Sequence, residues 1–212
     1  MDAVIDVSNV TTTSAKKAVA FFDTVGHHLL DAGARAGVRH HVVLSIVGID
    51  RVGLGYYRGK LRQEDVVKDG PLPWTVLRAT QFHEFAAQTL DRVPGPLAVV
   101  PRMRTQPVAA REVARHLGGT HPRSSPGHGP DLAGPRVEQL VDMVRRLLRA
   151  RHELAEQPLP VQDAGRDPER RDDRGRATAG RGRAVQGPRG SQTFDEWLGS
   201  YSRSGRILVQ GG

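Results

Sequence analysis

Two short apolar runs, DAVIDV over residues 2–7 and HHVVLSIVG over residues 40–48, constrain the fold more than any other feature of the chain. Each is rich in β-branched residues, and loop formers follow, Ser8-Asn9 after the first and Gly48 at the end of the second. Between them Ala18, Phe21, Phe22, Val25, Leu29, Leu30 and Ala32 recur at helical spacing over about residues 14–36, ending near Gly37. A second helix opens at GYYRGKLRQE, residues 55–64, and runs to about Asp69, where Gly70-Pro71 stops it. PWTVLRA, residues 73–79, reads as a third strand. Strand, helix, strand, helix, strand with these connections predicts a parallel sheet covered by helices. The strands are continuously apolar rather than alternating, as burial of both faces requires.

The remainder is less regular. A further helix is expected from Thr80 to Leu90, a short strand in PLAVVPRM and a helix from Val108 to Leu117. GGTHPRSSPGHGP, residues 118–130, has no period and reads as loop or disorder. VEQLVDMVRRLLRARHEL, residues 137–154, restores an amphipathic pattern, and Thr193 followed by Asp195 and Glu196 resembles a helix start. The expected organisation is therefore an α/β region over residues 1–117, an irregular linker over 118–136 and an amphipathic helix over 137–157. A disordered Arg/Gly/Pro-rich segment over 158–190 and a short C-terminal helix and tail over 191–212 complete it. The blocks 118–130 and 158–190 lose their hydrophobic period abruptly, and ordered-looking sequence resumes after each. Compensated frameshifts in a GC-rich gene produce that pattern, and translation of the other two frames tests it.

Hydrophobic residues make up 38% of the 212, low for a compact globule of that length, so part of the chain is expected not to fold. There is no cysteine, which excludes disulfides and thiolate metal sites. No apolar run approaches the roughly 20 residues of a membrane span and no signal-peptide pattern opens the chain, so the expectation is a soluble, cytoplasmic protein without a membrane partner. The formal charge of +8 owes much to the arginines between Arg166 and Arg189, a stretch with no aromatic residue on which bases could stack. It reads as solvated charge, not as a specific nucleic-acid site.

Candidate chemistry gathers at the ends of the first strands. Ser45 stands near the end of an apolar strand, where open parallel sheets bind ligands, and its hydroxyl could bond a substrate carbonyl; the alternative is an exposed strand-end hydroxyl. Tyr56 and Lys60 are four apart on one helix face. An ammonium about 5 Å from a phenol would favour phenolate by about 3 kcal/mol at an effective dielectric near 20, making Tyr56 a usable acid or base. The alternative is an aromatic and a basic residue on an ordinary helix surface. Ser8 and Asn9 could touch a cofactor or simply form an Asx turn. Arg78, Gln81 and His83 could face substrate, although Arg78 reads equally well as a packed structural arginine. The pairs His27-His28 and His40-His41 lack a carboxylate at ligand spacing, so no metal site is expected.

DAVIDVSN, HHVVLSIVG, GYYRGKLRQE and WTVLRATQFHEF resemble, in order and spacing, the fourth, fifth and sixth strands and intervening helix of the short-chain dehydrogenase/reductase superfamily, in particular its atypical NmrA-like branch. PVAAREVA and DLAGP are weaker echoes. The resemblance implies a partial Rossmann-type doubly wound parallel sheet, with residues 1–117 as the C-terminal part of an NAD(P)-binding domain and an irregular C-terminal region. It implies Ser45, Tyr56 and Lys60 as catalytic residues, with Lys60, Ser8 and Asn9 on the cofactor side. The serine-to-tyrosine spacing is slightly shorter than the family's; Tyr57 restores it but breaks the four-residue step to the lysine. Met1 coincides with the fourth strand of the resembling fold, so the first three strands and the glycine-rich phosphate turn are expected to be missing, and NAD(P) to bind weakly. The first strand then becomes an exposed edge open to self-association. The implied function is that of an NAD(P)-dependent oxidoreductase of unknown small-molecule substrate, inactive or weak in this truncated form. The alternatives are a non-catalytic NmrA-like cofactor-sensing or regulatory protein and a degenerate gene product.

Overall fold

The computed structural model describes residues 2–53, 55–92, 98–119, 127–152, 161–164 and 187–203. In chain order it begins with β1 (Val4–Asp6), α1 (Ala15–Arg35), β2 (His41–Ile46), α2 (Gly55–Lys68), β3 (Trp74–Ala79) and α3 (Phe85–Asp91). Next come β4 (Ala98–Pro101), β5 (Arg104–Thr105), α4 (Ala110–Gly119) and β6 (Gly127–His128). Last are β7 (Glu138–Gln139), α5 (Leu140–His152), β8 (Val161–Ala164) and α6 (Phe194–Arg203). The chain divides into two compact units. One holds Met1–Ala79, Arg111–Leu132 and Gln186–Pro188; the other holds Thr80–Ala110, Ala133–Val185 and Arg189–Gly212.

The first unit is the expected parallel α/β layer. Its four strands run in the order β1-β2-β3-β6, every pair parallel. Ser14 caps α1 by accepting a bond from the Lys17 amide, and Gly37, at φ 68°, takes the left-handed turn after the helix. Ala18, Phe22, Gly26, Leu30 and Gly33 form its buried stripe. Small residues on this stripe and on α2 let the two helices pack closely. A Cβ at Gly59 would fall 2.7 Å from the Ala18 Cβ and 2.8 Å from Phe22 Cδ2, and one at Gly55 would fall 2.5 Å from the Thr13 carbonyl oxygen. Among the described residues β1 pairs only with β2, leaving it at the sheet edge with Ile5 and Val7 exposed.

The second unit is built on helices. Leu140, Met143, Val144 and Leu147 of α5 are buried against Ala86 of α3, Val100 of β4, and Phe194 and Trp197 of α6. Thr193 and Glu196 cap α6 reciprocally: the Glu196 carboxylate accepts from the Thr193 amide at 2.8 Å, and the Thr193 hydroxyl from the Glu196 amide at 3.3 Å. This is the helix start expected from the sequence. Arg146 lies over the Phe194 ring at 4.9 Å and bonds Glu138 and Asp195.

Several boundaries differ from the expectation. The helix after β3 starts at Phe85 rather than Thr80, because the backbone of Gln81 and His83 exchanges hydrogen bonds with Val108. Inside the expected linker, Gly127–His128 pairs with β3, and the Gly129 amide bonds the Val76 carbonyl. Val161–Ala164, inside the Arg/Gly/Pro-rich stretch, pairs in parallel with β4. β6 extends the sheet of the first unit, whereas β8 and β4 form a two-stranded ladder of their own; such short pairings need backbone groups rather than a side-chain period, so no periodic signal marks them. Most of residues 158–190, and residues 153–157 of the expected helix, lie outside the described residues.

Close helix packing yields a stability prediction. Gly59→Ala gains up to about 1 kcal/mol of helix propensity but forces α1 and α2 apart, a strain of about 1–3 kcal/mol. The expected net result is a lower urea midpoint; an unchanged or raised midpoint would show that the helices are not so tightly apposed.

Candidate active site

Strand register brings three polar side chains to one face of the sheet. β1 pairs Asp6 with Val43, and β2 pairs Ser45 with Arg78. Since side chains alternate faces along a strand, Asp6, Val43, Ser45 and Arg78 share the side on which α2 lies. That helix meets them with a polar stripe: Lys60, Gln63 and Glu64, at helical spacings of three and four, are all buried beside Gly59, Val66 and Val67. Buried polar groups survive only when hydrogen-bonded, and each of these is.

Glu64, fully buried, is the hub of one set. Its Oε1 accepts from Ser45 Oγ at 2.6 Å and from Arg78 Nε at 2.9 Å, while Oε2 accepts from Arg78 Nη2 at 2.8 Å and Lys68 Nζ at 3.3 Å. The paired guanidinium contacts form a bidentate clamp, and Arg78 Nη1 also lies 3.5 Å from Asp50 Oδ1. Burial pushes the Glu64 carboxyl upward, but the hydrogen bonds from Arg78 and Ser45 and the charges of Arg78 and Lys68 outweigh it and hold it ionised.

A second set centres on Gln63. Lys60 Nζ donates to the Leu44 carbonyl at 2.6 Å and to Gln63 Oε1 at 2.5 Å, 4.9 Å above the Phe22 ring. Gln63 Nε2 donates onward to Asp6 Oδ2 at 2.7 Å and Ser8 Oγ at 3.1 Å, and the Ser8 amide donates to Asp6 Oδ1 at 2.9 Å. His41 Nε2 lies 3.9 Å from Asp6 Oδ2, beyond hydrogen-bond reach. Burial would raise the Asp6 pKa, yet the nearby His41 ring and the hydrogen bonds from Ser8 and Gln63 take it down to about 2. For Lys60 burial wins: it lowers the ammonium to about 8 against the opposing pull of Asp6 and Glu64.

Tyr56 stands on the first turn of α2, half-buried. Its hydroxyl donates to Asn9 Oδ1 at 2.7 Å, and its ring meets Phe22 edge-on at 5.8 Å. Tyr56 and Lys60 therefore flank the same phenylalanine and point their polar ends to different partners. Ser45 belongs to the Glu64 set, while Ser8 and Asn9 join the loop after β1 to Gln63 and Tyr56. Gln81 and His83 fall in the second unit: Gln81 Oε1 accepts from Thr105 Oγ1 at 2.8 Å, and buried His83 packs with Phe194 and Trp197 at 5.9 and 5.8 Å. Among the described residues no cluster of His, Asp and Glu could hold a metal, and no helix is long and apolar enough to cross a membrane. Asp6, Gln63 and Glu64 escaped the sequence reading. Their signal was available: positions 59, 60, 63, 64, 66 and 67 fall on one helical face, and β-strand alternation puts Asp6 opposite exposed Ile5.

The Lys60 shift fixes a stability profile. In the folded chain the ammonium titrates near 8, against an ordinary 10.5. Between those values the unfolded chain retains a proton that the folded chain has released, so stability rises with pH by about 3 kcal/mol in total. Urea midpoints at pH 7.5 and 10 should show this rise, and Lys60→Met should abolish it. The same rise in both proteins would mean that Lys60 titrates normally.

No family model matches the chain, and none of the curated proteins does. Among solved structures it is similar to Pen from Bacillus thuringiensis, with a TM-score of 0.60 at 13% identity over 81% of this chain and 58% of that one. It is similar to the Bordetella bronchiseptica enzyme WbmH in complex with NAD+, at 0.54 and 13% over 76% and 62% respectively. Likeness to the Citrobacter sp. triphenylmethane reductase complexed with NADP(H) is 0.52 at 13%, over 76% and 55%. The chain thus spans less than two thirds of the length of each. At such identity the likeness is one of architecture: the chain has a Rossmann-like α/β fold with a parallel sheet, the fold of proteins crystallised with NAD+ and NADP(H).

Proposed function

We propose that this chain carries the substrate-proximal part of an NAD(P)-dependent oxidoreductase site of the short-chain dehydrogenase/reductase type, of the atypical NmrA-like kind. The observation that carries the reading is the Tyr56–Asn9 hydrogen bond at the carboxyl end of β1, with Lys60 one turn along α2 against the same Phe22 ring. Ligands of open parallel sheets bind at that edge. Tyr56 would exchange a proton with the substrate oxygen, turning from Asn9 to do so. Ser8, Asn9 and Lys60 would hold the nicotinamide-ribose side of the cofactor, which supplies the hydride when bound. Lys60 has three N–H donors and two are placed on Leu44 and Gln63, so one remains for a ribose hydroxyl. Ser45 has a single O–H, which it gives to Glu64, so it can bond a substrate carbonyl only by leaving that carboxylate.

The fit to a dinucleotide is partial. The connection between β1 and α1, SNVTTT, contains no glycine, and Gly53 and Gly55 after β2 are followed by Arg58 where a G-x-G-x-x-G turn needs its third glycine. Backbone N–H groups for a pyrophosphate are therefore not assembled there. Calorimetry of the 212-residue chain with about 100 μM NADPH or NADH should give no saturable heat, and a stoichiometric low-micromolar affinity would overturn this. In any form with turnover, Tyr56→Phe should cut kcat by about 10² or more with little effect on cofactor affinity. Wild-type turnover in that variant would return Tyr56 to the helix surface.

A second reading, a non-catalytic sensing or regulatory protein or a degenerate gene product, draws support from the burial of Ser45 and Lys60, both only 3–4% exposed and internally bonded. It is joined by self-association through β1. Ala3, Ile5 and Val7 share one face of that edge strand, Ile5 and Val7 being 45% and 56% exposed. An antiparallel pairing with a second copy centred on Ile5 would set Ile5 against its counterpart and Ala3 against Val7, burying the row. Sedimentation should show concentration-dependent dimers that Ile5→Lys abolishes. Monomers at all concentrations, or dimers indifferent to the lysine, would exclude this contact.

A further inference from the structure

We propose that Gln63 is a positioning residue that couples the charge on Lys60 to the Ser8–Asn9 loop, so that ligand binding at the loop and proton release from Lys60 influence each other. The proposal rests on the reading of Lys60, Ser8 and Asn9 as a cofactor-side set, and it adds regulation by pH to that set.

Both ends of the Gln63 amide are committed, and it is 1% exposed. Its oxygen faces a cation, Lys60 Nζ, and its nitrogen faces an anion and a hydroxyl, Asp6 Oδ2 and Ser8 Oγ. Only one orientation satisfies this arrangement. Flipping the amide would set N–H groups against an ammonium and the oxygen against a carboxylate. The amide is thus polarised from both sides, which strengthens both sets of bonds in a low-dielectric setting. Ser8 is held twice, by Gln63 at its hydroxyl and by Asp6 at its amide, and Asn9 next to it receives the Tyr56 hydroxyl. A continuous run of bonded groups therefore joins the Lys60 ammonium to the loop that carries the Tyr56 contact.

The groups facing Lys60 from each neighbouring element define what its ionisation changes. α1 presents the Phe22 ring, β2 the Leu44 carbonyl, β1 the Asp6 carboxylate, and α2 itself Gln63 and Glu64. Glu64 is already clamped by Arg78 and Lys68, and His41 stands beyond hydrogen-bond reach of Asp6. Loss of the Lys60 proton removes the cation from the oxygen end of Gln63 and takes one positive charge from the neighbourhood of Asp6. The nitrogen end then bonds a less compensated carboxylate, and Ser8, shared between Gln63 and Asp6, must readjust. By linkage, a ligand that moves Ser8 or Asn9 must shift the proton affinity of Lys60 in return.

The test uses the ligand-free full chain, so it can succeed or fail whatever becomes of the NADPH titration. NMR follows the Lys60 Cε resonance and the Ser8 and Asn9 amides from pH 6.5 to 9.5. Lys60 should titrate near 8, and the two amides should move with the same midpoint. Gln63→Met keeps the side-chain length and removes both polar ends. In that variant the proton affinity of Lys60 should fall about tenfold, and the amides should cease to follow it. A side chain that merely fills space would leave the titration unmoved. Amides that ignore Lys60 in the wild type, or that still follow it in Gln63→Met, would overturn the proposal. Should the methionine variant fail to fold, Lys60→Arg supplies the check: with a permanent charge in place the amide titration near 8 must vanish, and its persistence would equally overturn the coupling.

Discussion

A carboxylate with no exposed surface organises the first unit. Glu64 sits on α2, yet its four hydrogen bonds come from β2, from β3 and from the next turn of its own helix, so one side chain locks the helix to two strands. An unpaired charge there would cost several kcal/mol, which makes the clamp by Arg78 a condition of the fold and not a decoration on it. Asp6 and Lys60 repeat the arrangement at the β1 side, with Gln63 between them. The layer between sheet and helix therefore combines these charged groups with an apolar contact of Val43, Val67 and Val76.

Much of this architecture is legible in the sequence, because apolar period is a direct consequence of burial. β1, α1, β2, α2 and β3 all emerge from the spacing of Val, Ile, Leu and Phe, and α6 from a Thr and Glu three residues apart. The polar interior is not legible by that rule. Lys60, Gln63 and Glu64 look like a solvated helix face, since burial of such residues depends on partners more than a dozen residues away. Their shared face with Gly59, Val66 and Val67 is the one local clue. The short strands β6 and β8 leave even less trace, being held by backbone groups that every sequence possesses.

The same contrast bears on the candidate site. Position along the chain brings Tyr56 and Lys60 to one helix face, but position says nothing of where their polar atoms are bonded. Tyr56 reaches the loop after β1, whereas Lys60 and Ser45 are engaged inward. A site of this kind has its most accessible member, the phenol, outermost, and the groups that would tune it are part of the packing that holds α2 down. Changing the tuning groups therefore also changes the fold, and stability and chemistry cannot be adjusted separately in this layer.

The Ser45–Arg78 register has a further consequence, for folding fidelity. If β3 slipped one residue along β2, Leu77 or Ala79 would stand beside Ser45 and the guanidinium would project to the opposite side of the sheet. Glu64 would then be buried without its clamp. Parallel strands joined through a helix form late and with few local cues, so misaligned intermediates are their ordinary hazard. Here a one-residue slip strands a carboxylate, an energetic gap between the correct pairing and its nearest competitors. Glu64 thus ties the burial of the layer to this one alignment of β2 and β3.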